Sequence, residues 1–239
     1  MIGLGTIVNV AAIAAGGVLG MVGGKWLKPR CQETLTRAMG ICVLFIGVAG
    51  AMEQMLSVEG SGLTSGGTMM LVISMALGGL MGELLNLDGL MEKFGCWLRE
   101  KSGSSNDNQF LDAFITATMT VCIGAMAIVG AVQDGIYGDH TVLLAKSVMD
   151  FIIIVVMASS MGKGCIFSAI PVGILQGSVT LLARVVEPLL TQAALGNLSL
   201  VGSVLIACVG VNLIWKNTIR VANLLPALIV AVVYGLLGF

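Results

Sequence analysis

The amino-acid sequence predicts an all-α, polytopic transmembrane helical bundle. Of the 239 residues, 57% are hydrophobic and 10% are charged, and the mean hydropathy of +1.01 is too high for a soluble domain of this length. The apolar runs are long and continuous and do not alternate residue by residue, so they favour membrane helices over a barrel. The 33 glycines and 15 methionines are typical of closely packed helices with adaptable side chains between them.

Windows of about 20 apolar residues, cut at charged and Gly/Ser-rich segments, predict eight membrane spans. The spans are 2–22, 36–53, 67–86, 110–132, 139–160, 164–184, 197–215 and 221–238. Most of the 12 basic residues follow the first, third, fifth and seventh spans: Lys25, Lys28, Arg30, Arg37, Lys93, Arg99, Lys101, Lys163, Lys216 and Arg220. Because Lys and Arg gather on cytoplasmic loops, this distribution predicts that both termini lie outside.

The chain is predicted to form a single transmembrane domain, 1–239. Within it, the polar stretch 102–108 predicts a flexible linker between two halves, 1–101 and 109–239. Apolar residues at helical spacing between Leu87 and Leu98 predict a short helix in the headgroup plane just before that linker.

Short patterns recur between spans and raise the question of an internal repeat. Gly16-Gly17-Val-Leu-Gly20 in the first span resembles Gly78-Gly79-Leu-Met-Gly82 in the third. The simplest interpretation is a parallel repeat, either of helical hairpins or of two four-helix halves. Chance is the competing interpretation, because membrane helices draw on few residue types.

Lys146 and Asp150 are the most unusual residues of the chain, since both stand inside the fifth apolar span. One helical turn separates them, so they share a helix face. A charged residue near the centre of a membrane helix costs about 2.5 to 3.5 kcal/mol on insertion scales. The two can be a self-neutralising structural pair or part of a functional site, and the sequence leaves both interpretations open.

Other polar residues are predicted to lie at a similar depth, or to shape access to it. With Lys146 and Asp150, the predicted substrate or ion pathway contains Gln176, Ser147, Asn9 and Ser74. The acidic loop before the fifth span predicts an outer mouth formed by Gln133, Asp134 and Asp139. Pro171 and Gly173 predict a kink or break in the sixth span, with a packing kink as the alternative.

The sequence gives no support for an enzyme, a metal site or a bound cofactor. His140 is the single histidine, and the six cysteines form no Cys-x-x-Cys motif, so buried thiols without disulfides are predicted. Lys146 and Ser147 are adjacent and point in different directions on a helix, which argues against a catalytic dyad. No basic stripe with interleaved aromatic residues suggests a nucleic-acid partner.

Several motifs resemble the YqgA-like family of bacterial inner-membrane proteins, also known as domain-of-unknown-function family 554. The motifs are Asn9, Gly16-Gly17-Val-Leu-Gly20, Gly82-Glu83, Gly130-Ala131, Gly135, Gly138-Asp139, Ala145-Lys-Ser147, Asp150, Pro171, Gln176 and Asn223-Leu-Leu-Pro-Ala227. They run along nearly the whole chain, and Ala-Lys-Ser-x-x-Asp after an outer acidic loop is the most specific. Gln133 departs from the acidic residue expected before glycine. The resemblance implies a bacterial cytoplasmic (inner) membrane protein, with periplasmic termini under the predicted topology, and brings no settled substrate.

The leading functional hypothesis is a small-solute or ion transporter or channel with a polar site near the bilayer midplane. The alternative is a structural or regulatory membrane protein in which the Lys/Asp pair only fixes helix packing. The expected partners are the lipid bilayer and a small ion or polar solute. Glycine-rich faces are also compatible with a homodimer.

Overall fold

Helices make up nearly all of the secondary structure in the computed structural model of the protein. The structure describes residues 2–24, 26, 28–59, 62–103, 109–123, 125–189, 191–215 and 218–237. The first part of the chain contains α1 (Leu4–Gly24), α2 (Pro29–Met55), β1 (Leu56–Glu59), β2 (Gly62–Ser65), α3 (Thr68–Leu85) and α4 (Leu87–Lys101).

The second part is also helical, with short interruptions. It contains α5 (Phe110–Cys122), α6 (Ala125–Tyr137), α7 (Thr141–Met161), a 3-10 helix (Lys163–Ser168), α8 (Ala169–Leu181), α9 (Ala183–Val186), a second 3-10 helix (Glu187–Leu189), α10 (Gln192–Trp215), α11 (Val221–Leu224) and α12 (Pro226–Leu236).

Six helical segments of the described chain are long and apolar enough to cross a membrane. They are Leu4–Gly24, Arg30–Met55, Thr68–Leu85, Thr141–Met161, Lys163–Leu181 and Gln192–Trp215. The pair α5 and α6, bent by 61°, gives a seventh if it is one span, while Val221–Leu236 is a shorter apolar segment. The predicted class, an all-α polytopic bundle, is confirmed; the count of eight spans stays a prediction.

Contacts at small residues fix the relative directions of several helices. Gly16 lies against Phe151 and Gly24 against Ser159, so α1 and α7 run parallel. Gly78 of α3 lies against Ala227 of α12, and Gly82 lies against Asn223 of α11. Because the partner numbers fall as the glycine numbers rise, α3 runs antiparallel to α11 and α12. Parallel α1 and α7 require an odd number of crossings between them. That requirement is met if α2, α3 and the α5–α6 pair each cross once, as the eight-span topology has it.

Helices from the two predicted halves of the sequence pack against each other. Helix α1 packs on α7, α2 on α10 and α3 on α12, so the halves are interleaved in space. The two similar glycine motifs also have dissimilar partners, because α1 meets a parallel helix and α3 an antiparallel one. The structure therefore adds no support to the hairpin repeat. Residues 104–108 of the predicted linker lie outside the described residues.

Apolar side chains both fill the interior and cover the outside of the bundle. One buried cluster joins Ile13 of α1, Val43 of α2, Ala117 of α5, Ile154 of α7 and Leu205 of α10. Other large apolar side chains, on α1, α2, α3, α7 and α8, are exposed on the outside of the bundle, among them Val18, Ile46, Val72, Ile152 and Ile174. A surface of this kind is stable against lipid tails and unfavourable in water.

Two surface elements flank the bundle. Helix α4 begins at Leu87 as predicted, and its buried Leu98 packs with Phe110 and Phe114 of α5. The antiparallel hairpin β1–β2, with Leu56 opposite Ser65, was not predicted. Strands of four residues give too short an alternation to be recognised beside long apolar runs.

Replacing Gly20 by leucine is expected to destabilise the contact between α1 and α7. A Cβ atom at Gly20 overlaps the Val155 carbonyl oxygen and lies 2.9 Å from the Ala158 Cβ, so the helices must separate. Such overpacking costs about 1 to 3 kcal/mol or more. Thermal unfolding in detergent should show a lower midpoint for Gly20→Leu.

The matched control is Gly23→Leu on the same helix, because a Cβ atom at Gly23 has no neighbour within 4 Å. Both variants remove one helical glycine, so only the packing differs. Equal midpoints for the two variants would show that the close α1–α7 contact does not limit stability.

Candidate functional site

The centre of the candidate site is the ion pair between Lys146 and Asp150 on α7. Lys146 Nζ lies 2.8 Å from both Asp150 Oδ1 and Oδ2. The two residues are 8% and 3% exposed, so the pair is buried in the interior of the bundle. The i,i+4 spacing that predicted a shared helix face therefore also gives direct contact.

The ammonium group has a third partner, which comes from the break between α5 and α6. Lys146 Nζ donates to the Val121 carbonyl oxygen at 2.8 Å. Helix α5 ends at Cys122, so this carbonyl lies in the last turn, where no intrahelical partner is present. Cations are favoured at helix C-termini because the carbonyl dipoles point at them. The bend of the α5–α6 segment thus supplies an oxygen to the buried lysine.

Asn9 of α1 and Gln176 of α8 complete the cluster. Asn9 Nδ2 donates to Asp150 Oδ2 at 3.1 Å and to Gln176 Oε1 at 3.3 Å. The two residues are 0% and 1% exposed. Each keeps one buried polar atom without a hydrogen bond to any residue that the structure describes, Asn9 Oδ1 and Gln176 Nε2. The cluster therefore offers an unused acceptor and an unused donor beside a fixed ion pair.

The remaining two residues of the predicted pathway do not join this cluster. The Ser147 hydroxyl is buried but donates to the Leu143 carbonyl of its own helix at 2.7 Å. Ser74 lies on α3, which packs on α12, and its hydroxyl is 3.4 Å from the Met70 sulfur. A similar predicted depth in the membrane therefore does not bring every polar residue into the cluster.

The predicted break at Pro171 and Gly173 is wrong in its position. Helix α8 runs without interruption from Ala169 through both residues to Leu181, and the irregular 3-10 segment precedes it. Pro171 stands in the first turn of α8, where its missing N–H group costs no helical hydrogen bond. The sharp bend of the polar region lies between α5 and α6 instead.

The acidic residue Asp134, predicted to line an outer mouth, is a buried anchor. It is 0% exposed and accepts hydrogen bonds from the backbone N–H groups of Gly3 and Gly5, both at 3.0 Å. Its Oδ1 also lies 2.9 Å from His140 Nδ1. A carboxylate at a helix N-terminus satisfies unpaired N–H groups and complements the helix dipole. Asp134 therefore ties the start of α1 to the loop before α7.

The other two residues of the predicted mouth have local surroundings. Asp139 is exposed, and its Oδ1 accepts from the Thr141 hydroxyl at 2.6 Å and from the Thr141 N–H at 2.9 Å. These hydrogen bonds lower the pKa of Asp139 and cap the start of α7. Gln133 is half-buried, and its Oε1 has no hydrogen-bond partner.

Two buried threonines without a predicted role lie between the Asp134 anchor and the ion pair. Thr6 Oγ1 and Thr180 Oγ1 are 3.4 Å apart. Thr6 precedes Asn9 by three residues and Thr180 follows Gln176 by four, so each lies one helical turn from a cluster residue. The sequence contains this spacing, but threonine is too common in membrane helices for the spacing alone to indicate a site.

A cavity of about 340 Å³ lies near the opposite end of the bundle. Its polar and charged lining residues are Asp88, Glu92, Asp112, Thr116, Asn212 and Arg220. It extends along α5 to Met119, two residues before the Val121 carbonyl. Sequence reasoning missed it because its lining comes from four helices that are distant in the chain.

Comparison with known proteins identifies relatives along nearly the whole chain. The family described as "Protein of unknown function (DUF554)" matches residues 4–236. "Uncharacterized membrane protein YdfK" of Bacillus subtilis (strain 168) is 31% identical over 226 residues, covering 95% of this chain and 93% of that protein. "Uncharacterized protein YqgA" of Escherichia coli (strain K12) is 28% identical over 232 residues, covering 95% and 94%. No solved structure matches significantly. The resemblance found in the sequence motifs is confirmed.

Replacing Asp134 by asparagine is expected to loosen the start of α1. An amide has one acceptor oxygen, so it cannot replace both carboxylate contacts to Gly3 and Gly5. A buried donor left without its partner costs about 1 to 3 kcal/mol. Hydrogen exchange of a peptide covering residues 2–9 should accelerate in Asp134→Asn.

Glu187→Gln is the control for this variant, since the exposed Glu187 carboxylate accepts a hydrogen bond from the Tyr137 hydroxyl of α6. Its exchange in the same peptide should equal that of the unmodified protein. Unchanged exchange in Asp134→Asn would mean that α1 does not depend on the anchor.

Proposed function

The chain belongs to the DUF554 family, and from that premise we propose that this multi-pass membrane protein is a transporter or channel for a small polar solute or ion. The proposed site is formed by Lys146, Asp150, Asn9 and Gln176. One observation carries the proposal: the ion pair is held among buried amides that keep an unpaired acceptor and an unpaired donor.

The energetic cost of the cluster supports a functional role. Unpaired polar atoms away from water cost about 1 to 3 kcal/mol each, in addition to the cost of placing charges inside a membrane helix. A protein selected only for stable helix packing gains nothing from Asn9 Oδ1 and Gln176 Nε2, which have no hydrogen-bond partner in the described part of the chain. A solute or ion that uses these atoms explains why they are kept.

The arrangement of open and closed regions supports alternating access to the site. On one side, the cavity follows α5 from Asp112 to Met119, a rise of about 10 Å along the helix. On the other side, Asp134 binds the backbone at the start of α1, and the paired Thr6 and Thr180 hydroxyls lie between this contact and the ion pair. We therefore interpret the structure as a state that is closed outside and approached from inside.

We further propose that the protein lies in the bacterial cytoplasmic (inner) membrane with both termini periplasmic. The basic residues that follow alternate spans support this orientation. In a cysteine-free background, a membrane-impermeant maleimide should label Ser57→Cys in intact spheroplasts and label Lys101→Cys only after lysis. Both positions are exposed on surface elements, the β1 strand and α4. The reverse labelling pattern would overturn the orientation.

A specific observation also favours the competing proposal, a structural pair that only fixes helix packing. Lys146 Nζ has three oxygen partners at 2.8 Å, so the charge is well satisfied without any ligand. Under this proposal, two apolar residues of similar volume would replace the pair with little loss, or with a gain in stability.

The double variant Lys146→Leu with Asp150→Leu separates the two proposals. It removes both charges together, so neither is left unpaired in the membrane. If the pair serves transport, the variant should fold, with an unfolding midpoint close to that of the unmodified protein, and lose flux in proteoliposomes. Flux would be measured for protons, monovalent cations and amino acids.

The matched control is Glu33→Leu with Arg37→Leu. These residues form an i,i+4 pair at 2.7 Å like the buried one, but their side chains are 63% and 64% exposed. Flux through this control should persist. Full flux in the Lys146/Asp150 double variant would contradict the transport site, and no flux for any tested solute in the intact protein would contradict transport.

A further inference from the structure

The ion pair determines how the amide of Asn9 is oriented. An ionised carboxylate can only accept hydrogen bonds, so Asn9 must present its NH2 group to Asp150, and Asn9 Nδ2 lies 3.1 Å from Asp150 Oδ2. Both carboxylate oxygens of Asp150 lie 2.8 Å from Lys146 Nζ, which holds this acceptor in place. The other polar atom of the amide, Asn9 Oδ1, therefore remains available as an acceptor.

The amide of Asn9 in turn fixes the orientation of Gln176 on α8. Asn9 Nδ2 carries two protons, of which one goes to Asp150 and the other to Gln176 Oε1 at 3.3 Å. An inverted Gln176 amide would bring two NH2 groups together, and neither could accept. Gln176 therefore keeps Nε2 as a donor, and neither this atom nor Asn9 Oδ1 has a hydrogen-bond partner among the described residues. The ion pair thus leaves one buried acceptor and one buried donor.

The two unused atoms lie close enough together for one small molecule to contact both. They belong to amides that are joined by the 3.3 Å hydrogen bond between Asn9 and Gln176. The nitrogen and oxygen of one amide are at most about 2.6 Å apart, the sum of its C–N and C=O bond lengths. Asn9 Oδ1 and Gln176 Nε2 are therefore at most about 8.5 Å apart. With a hydrogen bond of about 2.9 Å at each end, a ligand whose own donor and acceptor are about 3 Å apart can reach both atoms.

Only a ligand with both a donor and an acceptor satisfies both atoms. A cation can use Asn9 Oδ1 but not Gln176 Nε2, and an anion can use the amide nitrogen but not the oxygen. Either ion leaves one buried polar atom unpaired, which weakens binding. The charge nearby is already balanced, because Lys146 and Asp150 neutralise each other. The site therefore favours a ligand of zero net charge.

The inner cavity also discriminates against anions. Its lining includes the guanidinium of Arg220 and the carboxylates of Asp88, Glu92 and Asp112. Because acidic groups outnumber basic groups in this lining, the electrostatic potential there is negative and repels anions. The same potential attracts cations, but a cation cannot pair with Gln176 Nε2. A solute of zero net charge meets neither obstacle.

We propose that the amides of Asn9 and Gln176 bind a small solute of zero net charge that carries a hydrogen-bond acceptor and a donor about 3 Å apart. Gln176 Nε2 would donate to the acceptor, and Asn9 Oδ1 would accept from the donor. The inference rests on the proposed function and deepens it, because it names the substrate class. The zwitterion of glycine and a primary amide such as acetamide both have this chemistry. Lys146 and Asp150 orient the two amides and need not touch the solute.

The first experiment compares four probes of similar size on the purified full-length protein in detergent at constant ionic strength. Glycine and acetamide carry a donor and an acceptor with zero net charge, whereas acetate is an anion without a donor and methylammonium a cation without an acceptor. Isothermal titration calorimetry should show that glycine, acetamide or both bind about tenfold or more tightly than either ion. Binding of glycine alone would identify a zwitterion as the ligand, and binding of acetamide alone an uncharged amide. Equal or tighter binding of an ion, or no binding of any probe, would overturn the inference.

The second experiment compares Gln176→Met with its control, Gln54→Met at an exposed position near the end of α2. Methionine has a similar length but cannot donate a hydrogen bond, so Gln176→Met should bind glycine or acetamide about tenfold more weakly. Binding of methylammonium, which uses Asn9 Oδ1, should not weaken, and the control should behave as the unmodified protein does. Unchanged binding of glycine and acetamide by folded Gln176→Met would overturn the role of Gln176; if that variant does not fold, the comparison of four probes on the unmodified protein still tests the proposal.

Failure of the amide site and failure of transport give different results. Flux of protons or cations in proteoliposomes without binding of glycine or acetamide would overturn this inference and leave transport standing. Binding of glycine or acetamide without flux of the bound probe would support the amide site and count against transport.

Discussion

The burial of one lysine determines much of the arrangement around it. A charge inside a membrane bundle must be neutralised and hydrogen-bonded at once, because no water replaces a missing partner. Asp150 neutralises Lys146 from the same helix, but a third oxygen must come from elsewhere. A regular helix has no spare carbonyl at this depth, so the end of α5 in the middle of the bundle meets the requirement. The bend between α5 and α6 therefore provides the hydrogen-bond acceptor that the buried Lys146 requires.

The sequence was most informative where a pattern lies within one helix. Apolar length located the long helices, and the i,i+4 spacing of Lys146 and Asp150 located their contact. It was less informative where partners come from distant parts of the chain. The break after Cys122 has no proline to mark it, whereas Pro171 marks a helix start that looks like a break. Asp134 appeared to be a loop acid because nothing nearby in sequence reveals that Gly3 and Gly5 donate to it.

Depth in the membrane predicted membership of the site only in part. Asn9 and Gln176 lie at the level of the ion pair and also on helices that pack against α7 or against each other, so they meet. Ser74 was predicted at a comparable depth but lies on α3, which packs on α12, and the Ser147 hydroxyl donates to the Leu143 carbonyl of its own helix. Membership of the site depends on the depth of a residue and on which helices pack against its own. Hydropathy predicts the depth but not the neighbouring helices.

The glycine face of α1 affects how this helix can move against α7. Gly16 and Gly24 lie against the backbone of α7 near Phe151 and Ser159, so no large side chain from these positions interlocks the two helices. Helix α1 is also continuous from Leu4 to Gly24 and carries both Gly5, which contacts Asp134, and Asn9, which contacts the ion pair. A shift of this helix along its axis by one residue, about 1.5 Å, moves both ends of this segment together. Such a shift would change the hydrogen bonds of Asp134 with Gly3 and Gly5 and those of Asn9 with Asp150 and Gln176 in the same movement.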